Sequence, residues 1–256
     1  MTKIIGIVPA RMKASRFYGK PLHNILDRPM LEHVYLRAKK FKDWTNITIA
    51  TCDEEIVKFS NIRNFPSILT SPNHTRALDR VAEAAPKVDG SLNSNDIVVC
   101  VQGDEPMLEP EMIETVIDPL FKSETIPCTV LAMHITDEKQ WLNKDTVKII
   151  HNNEGKVLYT TRVPVPFSKD PFSPDLLARR IYGIFAFRYK YLEMFVNHDE
   201  TRLEKVEACD SNRILDMSYD QYIAPYPSRK SFSVDSPEDI SLVEMHMKND
   251  KYHGTY

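Results

Sequence analysis

Two short runs constrain this chain most: Ile4-Ile5-Gly6-Ile7-Val8 and Ile97-Val98-Val99-Cys100-Val101. Both are of strand length, and neither alternates apolar with polar residues. A strand without alternation has no face to give to water. It must be covered on both sides, as in a parallel sheet flanked by helices. The first run, strand Lys3–Val8, ends in Pro9-Ala10-Arg11 and a loop bearing four cations, Arg11, Lys13, Arg16 and Lys20, before Pro21-Leu22. In open α/β sheets ligands bind beyond the carboxyl ends of the strands. Compact ammonium groups and forked guanidinium donors at such an end suit a polyphosphate. Taken by itself, the loop reads equally as a basic surface turn.

The segments between the two runs alternate in type. Pro29–Lys40 is an amphipathic helix with Met30, Leu31, Val34 and Ala38 on one face. Ile47–Thr51 is a strand, and Asp53-Glu54-Glu55-Ile56 opens a helix with acidic residues at its positive end. Ser67–Leu69 is a short strand and Leu78–Ala85 a helix. Asp96–Val101 is a central strand, and Pro110–Phe121 a helix with Ile113, Val116, Ile117 and Leu120 at helical spacing. Strand and helix in alternation imply a doubly wound, mostly parallel sheet.

Beyond residue 128 the character changes. Thr129–Ile135 and Val147–His151 are strands, and Asn152-Asn153-Glu154-Gly155-Lys156 is a turn leading into strand Val157–Arg162, a hairpin. Val163–Pro174, with four prolines, is an irregular loop. Arg180–Arg188 is strand-like, Leu192–Val196 and Leu203–Leu215 are helical, and Ile240–Lys248 is the final helix. With no repeat or linker, residues 1–256 read as one α/β domain. Residues 129–215 form a mixed β/α insertion suited to acceptor recognition or dimer contacts. Phe185–Tyr191 reads as core or interface, and His23, His33 and His74 as loop, surface or helix residues.

Composition narrows the function. A net charge of −3 gives no general attraction to nucleic acid, so phosphate affinity must be local to the N-terminal loop. Cys52, Cys100, Cys128 and Cys209 are scattered without a Cys-x-x-Cys pair, which argues against a zinc site or disulfide framework. No apolar run approaches the roughly 20 residues that span a bilayer. The chain enters a strand without a leader-like run. The expectation is a cytoplasmic protein with no membrane partner.

Two acidic segments complement the cations. In Val101-Gln102-Gly103-Asp104-Glu105-Pro106 a glycine lets the chain turn closely at the end of the central strand, and Asp104 follows it. In Val234-Asp235-Ser236-Pro237-Glu238-Asp239, Ser236 or Asp235 is suited to cap the last helix, with Glu238 and Asp239 in its first turn. Asp235 is alternatively a ligand. Two carboxylates with phosphate oxygens and water make an ordinary Mg²⁺ shell, although spacing alone does not bring Asp104 and Asp235 together.

These blocks, with Gly19-Lys20-Pro21-Leu22 and Leu203-Glu204…Glu207, resemble in order, over nearly the whole chain, the CMP-Kdo synthetase (3-deoxy-manno-octulosonate cytidylyltransferase) family. The resemblance implies a nucleotidyltransferase-type α/β fold, usually dimeric, acting with CTP and Mg²⁺. By position it implies that Ala10, Arg11, Arg16, Lys20, Arg80 and Gln102 surround the nucleotide, Arg11 and Lys20 on its phosphates. It implies Asp104 and Asp235 as metal ligands and Arg162 at the nucleotide or acceptor. Arg11, Lys20, Asp104 and Asp235 form the implied catalytic set.

The chain departs from its family where an acceptor would be read. The family's His-x-Ser-Gly-Thr-Asp/Glu-Arg is His74-Thr75-Arg76-Ala77-Leu78-Asp79-Arg80. Its Arg-His before a Gly-Ile-Tyr strand is Arg180-Ile181, and its Glu-Gln is Asp210-Ser211. In the loop, Lys13 and Ala14 stand for Ala-Ser, and Tyr18 for Pro. A site built to bond hydroxyls loses that substrate when polar groups become apolar. Arg76, Arg162, Ile181, Asp210 and Ser211 are therefore the candidate acceptor residues, with Arg76 facing either the site or solvent. The leading expectation is CMP transfer from CTP to an acidic, Kdo-like acceptor by a homodimer serving surface-polysaccharide synthesis. The alternatives are another anionic acceptor (a phosphorylated or phosphonate compound, or another acidic sugar) and a non-catalytic nucleotide-binding subunit. Retention of the four catalytic positions speaks against the last.

Overall fold

Strand β1 (Ile4–Ala10) is buried at every residue, as its lack of alternation requires, in the computed structural model of this chain. The structure describes residues 2–13, 16–229 and 232–256, so Ala14, one of the loop departures, lies outside the described residues. The chain divides into two units, residues 1–114 with 230–256, and residues 115–229.

In the first unit, β1 is followed by a 3-10 turn, Lys20–Leu22, and a short hairpin, β2 (Asn24–Ile25) and β3 (Arg28–Pro29). Helix α1 (Met30–Lys39) buries the expected face of Met30, Leu31, Val34 and Ala38. Strand β4 (Asn46–Thr51), helix α2 (Glu54–Ile62), strand β5 (Ser67–Leu69), helix α3 (Ala77–Val88) and strand β6 (Ile97–Val101) follow. β1 pairs in parallel with β6 on one side and β4 on the other, and β4 with β5. All five residues of β6 are buried. Parallel strands, each followed by a helix, put every carboxyl end of this sheet on one edge. Helix α4 (Pro110–Lys122) begins in the first unit and ends in the second.

The second unit holds β7 (Cys128–His134), α5 (Glu138–Leu142), the hairpin β8 (Lys148–His151) and β9 (Val157–Thr161), then β10 (Arg179–Arg188). It continues with α6 (Tyr189–Val196), α7 (Arg202–Glu207), α8 (Ser211–Asp216) and β11 (Gln221–Tyr226). β7 runs parallel to β11 and antiparallel to β10, and β10, β8 and β9 follow antiparallel. Phe185 and Phe187 are core residues. The chain returns to the first unit for α9 (Asp239–Met247). The fold is mixed α/β with a mostly parallel central sheet, as expected.

One expectation needs correction. Leu203–Leu215 is not a continuous helix: α7 ends at Ala208, whose φ of 51° is left-handed, and α8 starts three residues later. Arg213 donates to both oxygens of Glu204, Nε and Nη2 each at 2.7 Å, and both side chains are buried. Nine residues of continuous helix would set them roughly 13 Å apart along the axis. Closing this forked pair requires the chain to fold back.

Candidate active site

The carboxyl ends of β1 and β6 touch. A Cβ on Gly103 would lie 2.7 Å from the carbonyl oxygen of Pro9, so only glycine passes there. This contact sets Asp104 beside the start of the cationic loop. The loop closes on itself through Gly19 N–H donating to Met12 O at 2.9 Å, with Gly19 at φ 74°. The chain then turns into the 3-10 segment that presents Lys20.

Lys20 joins the parts that sequence spacing left separate. Its ammonium donates to Asp104 Oδ2 at 3.0 Å and to the carbonyl of Val234 at 2.7 Å, while Val234 N–H donates to the carbonyl of Asp104 at 3.0 Å. Val234 is wholly buried in a cluster with Ile25, Met30, Met107, Val243 and Met247, which anchors the next residue, Asp235. The Asp235 carboxylate accepts from Arg16 Nη2 at 2.8 Å. The helix-start chemistry falls to Asp239, whose Oδ2 accepts from the N–H groups of Asp235 and Ser236, each at 2.8 Å.

These residues line one open cavity of about 270 Å³. Ala10, Arg11, Arg16, Lys20, Arg76, Arg80, Gln102, Asp104 and Asp235 all contribute, over an apolar floor of Pro9, Pro21 and Met30. Every nucleotide, metal and catalytic residue expected from the sequence is on this wall, and Arg76 faces it at the head of α3. Arg80 is 2% exposed. Its Nη1 donates to Thr70 Oγ1 and to Ser71 O, and its buried Nη2 has no partner among the described residues.

Asp104 and Asp235 are the carboxylates this cavity offers a cation. Among the described residues no group of three or more His, Cys, Asp or Glu side chains is placed to hold a metal alone. Two carboxylates beside a phosphate-binding wall fit a hard divalent ion that completes its octahedron with water and substrate oxygens. They do not make a closed protein cage.

The remaining acceptor candidates belong to the second unit. Arg162 spends its guanidinium on main-chain carbonyls: Nε on Glu207 O at 2.8 Å, Nη1 on Lys144 O and Asp145 O at 3.1 Å, and Nη2 on Ala208 O at 3.2 Å. Glu207 in turn accepts from Tyr159 OH, Thr161 Oγ1 and Arg162 N–H. The structure gives Arg162 a cross-tying task in place of the expected acceptor contact. Ser211 is wholly buried in the first turn of α8. Ile181 in β10 and Asp210 before α8 are half-buried.

Sequence reading passed over two carboxylates behind the cavity wall, Asp53 and Glu83. Asp53 had a signal, since it follows a strand at the ligand-binding edge. Helical spacing offers Glu83 only Lys87, four residues on; its partners His74 and Ser71, nine and twelve residues away, meet it through the turn before α3.

A family model described as cytidylyltransferase matches residues 5–223. The 3-deoxy-manno-octulosonate cytidylyltransferase of Syntrophus aciditrophicus is 34% identical over 95% of this chain and 96% of its own length. That of Nitratidesulfovibrio vulgaris is 35% identical over 93% of both. Among solved structures, a CMP:2-keto-3-deoxy-manno-octonic acid synthetase complexed with CTP superposes with a TM-score of 0.87 at 26% identity, covering 97% of this chain and 99% of that one.

Proposed function

Since this chain belongs to the cytidylyltransferase family, beside the 3-deoxy-manno-octulosonate cytidylyltransferases, we propose that it transfers CMP from CTP to a Kdo-like sugar acid with Mg²⁺ in the cavity described above. The observation that carries the reading is the convergence of Arg11, Arg16 and Lys20 with Asp104 and Asp235 on one wall.

In the reaction an acceptor hydroxyl oxygen attacks the α-phosphorus of CTP and its proton passes to solvent. The bond from that phosphorus to the bridging oxygen breaks, and pyrophosphate leaves with the electron pair. No covalent enzyme intermediate is needed, so positioning and charge neutralisation carry the catalysis. The pairs Lys20–Asp104 and Arg16–Asp235 neutralise one another in the free protein. When the triphosphate arrives, Lys20, Arg16 and Arg11 turn to its oxygens and stabilise the departing pyrophosphate. Asp104 and Asp235 would then hold Mg²⁺, which supplies Lewis-acid polarisation of the phosphate when bound. The unpartnered Nη2 of Arg80 would donate to an acceptor atom of the nucleotide, and Gln102 offers an amide beside it. Arg76, on the wall of this cavity, is the position that would read the acceptor. The enzyme would work as a cytoplasmic homodimer supplying surface-polysaccharide synthesis; among the described residues no helix is long and apolar enough to cross a membrane.

The test is pyrophosphate release from CTP, UTP, ATP and GTP against Kdo, amino-Kdo, sialic acid and phosphorylated or phosphonate acids. Release with CTP and Kdo supports the reading. Release with CTP and only a phosphorylated or phosphonate acid moves the acceptor to the more anionic class that Arg76 suits. Release with another nucleotide but not CTP overturns the reading.

A further inference from the structure

We propose that Asp53 and Glu83, neither of which lines the cavity, are positioning residues that set Arg11 from two sides. The proposal rests on the nucleotide-binding role given to Arg11 above.

On one side the frame starts from the sheet. β1 and β4 stay in register to Ala10 and Thr51. Asp53 is fixed by its own N–H, which donates to Thr51 Oγ1 at 3.1 Å, and its Oδ2 accepts the N–H of Met12 at 2.8 Å. The Met12 carbonyl accepts from Gly19. The residue after Arg11 is thus held at both its N–H and its carbonyl, and Asp53 supplies the only side chain in that pair of bonds.

On the other side Glu83 projects from α3 less than one turn beyond Arg80. Its Oε2 accepts from Ser71 N–H at 2.9 Å and from His74 Nε2 at 2.5 Å. Its Oε1 accepts from Lys87 Nζ at 2.5 Å, and Lys87 also reaches Leu69 O at 3.2 Å. The segment from Leu69 to His74 is stapled to α3 along its length. Its last carbonyl, that of His74, accepts from Arg11 Nη1 at 3.5 Å. An exposed arginine has many rotamers, and each one frozen before binding is entropy the nucleotide need not supply. Asp53 fixes where the Arg11 side chain departs, and Glu83 fixes the acceptor at its tip.

The experiment is a double-mutant cycle on the full chain, read as CTP affinity by calorimetry with Mg²⁺ present and, separately, as pyrophosphate release. Asp53→Ala and Glu83→Ala are each expected to weaken CTP binding about tenfold. On an Arg11→Ala background either change adds less than about twofold, because the side chain they position is gone. Asp53→Asn, which keeps an acceptor for Met12 N–H, stays near wild type. Thermal melts exclude loss of fold, and Glu83→Gln, with one acceptor oxygen left, replaces Glu83→Ala if the latter does not fold. Losses that multiply fully with Arg11→Ala, or wild-type affinity in folded Asp53→Ala and Glu83→Ala, overturn the proposal. A wild type that binds CTP without releasing pyrophosphate overturns the assigned reaction while leaving the cycle readable. A wild type that does not bind CTP overturns both.

Discussion

Gly103 leaves no room beside the Pro9 carbonyl, and Asp104 is the next residue. Gly103→Ala would push the ends of β1 and β6 apart, at a cost of about 1–3 kcal/mol in stability. The same displacement moves Asp104 from Lys20, so pyrophosphate release should fall at least tenfold even at temperatures where the variant is folded. Wild-type turnover by Gly103→Ala would show that this contact does not set the site. Glu83 makes a second residue-scale prediction. Partial burial pushes its carboxyl upward, but hydrogen bonds from Lys87, the Ser71 N–H and His74 outweigh this and hold it at about 2, against an ordinary 4.5. A group whose pKa is depressed on folding contributes stability above its unfolded pKa and loses it as pH falls toward the folded value. Thermal melts should therefore separate wild type from Glu83→Gln by on the order of 1–3 kcal/mol near neutrality. The gap should close between pH 4.5 and 2. A gap that is constant over that range would remove the carboxylate from the stability of this turn. Asp104 was legible in the sequence as an acid at the turn after a strand, and Asp235 as an acid just before a helix. Glu83 was not, because a helix-surface glutamate looks the same whether or not a neighbouring turn folds onto it.

Elements were legible where periodicity is strong. β1, β6 and α1 follow directly from runs with no polar face or a single apolar stripe, and their ends agree within two residues. What escaped was decided by distant partners. The hairpin β2–β3 has two-residue strands and turns through Leu26 at φ 55°, with no glycine to announce it. The break between α7 and α8 likewise falls on an alanine. Its cause is the Glu204–Arg213 pair, in which both side chains are almost wholly inaccessible. Removing one partner of such a pair strands a buried charge, so Arg213→Ala should cost about 3–5 kcal/mol. Replacing both residues by apolar ones of similar size should cost much less. Urea denaturation of the two variants measures this, and an equal loss in both would contradict it.

Across the whole molecule, the charge is −3 while the cavity wall carries five cations and two carboxylates. This charged wall is built by the loop after β1, the head of α3, the end of β6 and the segment before α9. These four pieces are up to 224 residues apart in sequence, counting from Arg11 to Asp235. Parallel strand order makes their meeting possible, and Lys20 and Val234 complete it. Acceptor recognition was less legible because it depends on which side chains remain uncommitted after folding. Arg162 is spent on carbonyls and Ser211 is buried, neither of which a motif reveals. The central claim is that Asp104 and Asp235 act together in this cavity on CTP. The most direct measurement is pyrophosphate release by wild type, Asp104→Ala and Asp235→Ala under one set of conditions with Mg²⁺, CTP and the acceptor found by screening. The account predicts release by wild type, a fall of at least about a thousandfold in each variant, and melting temperatures within a few degrees of one another. Full turnover by either folded variant would contradict it.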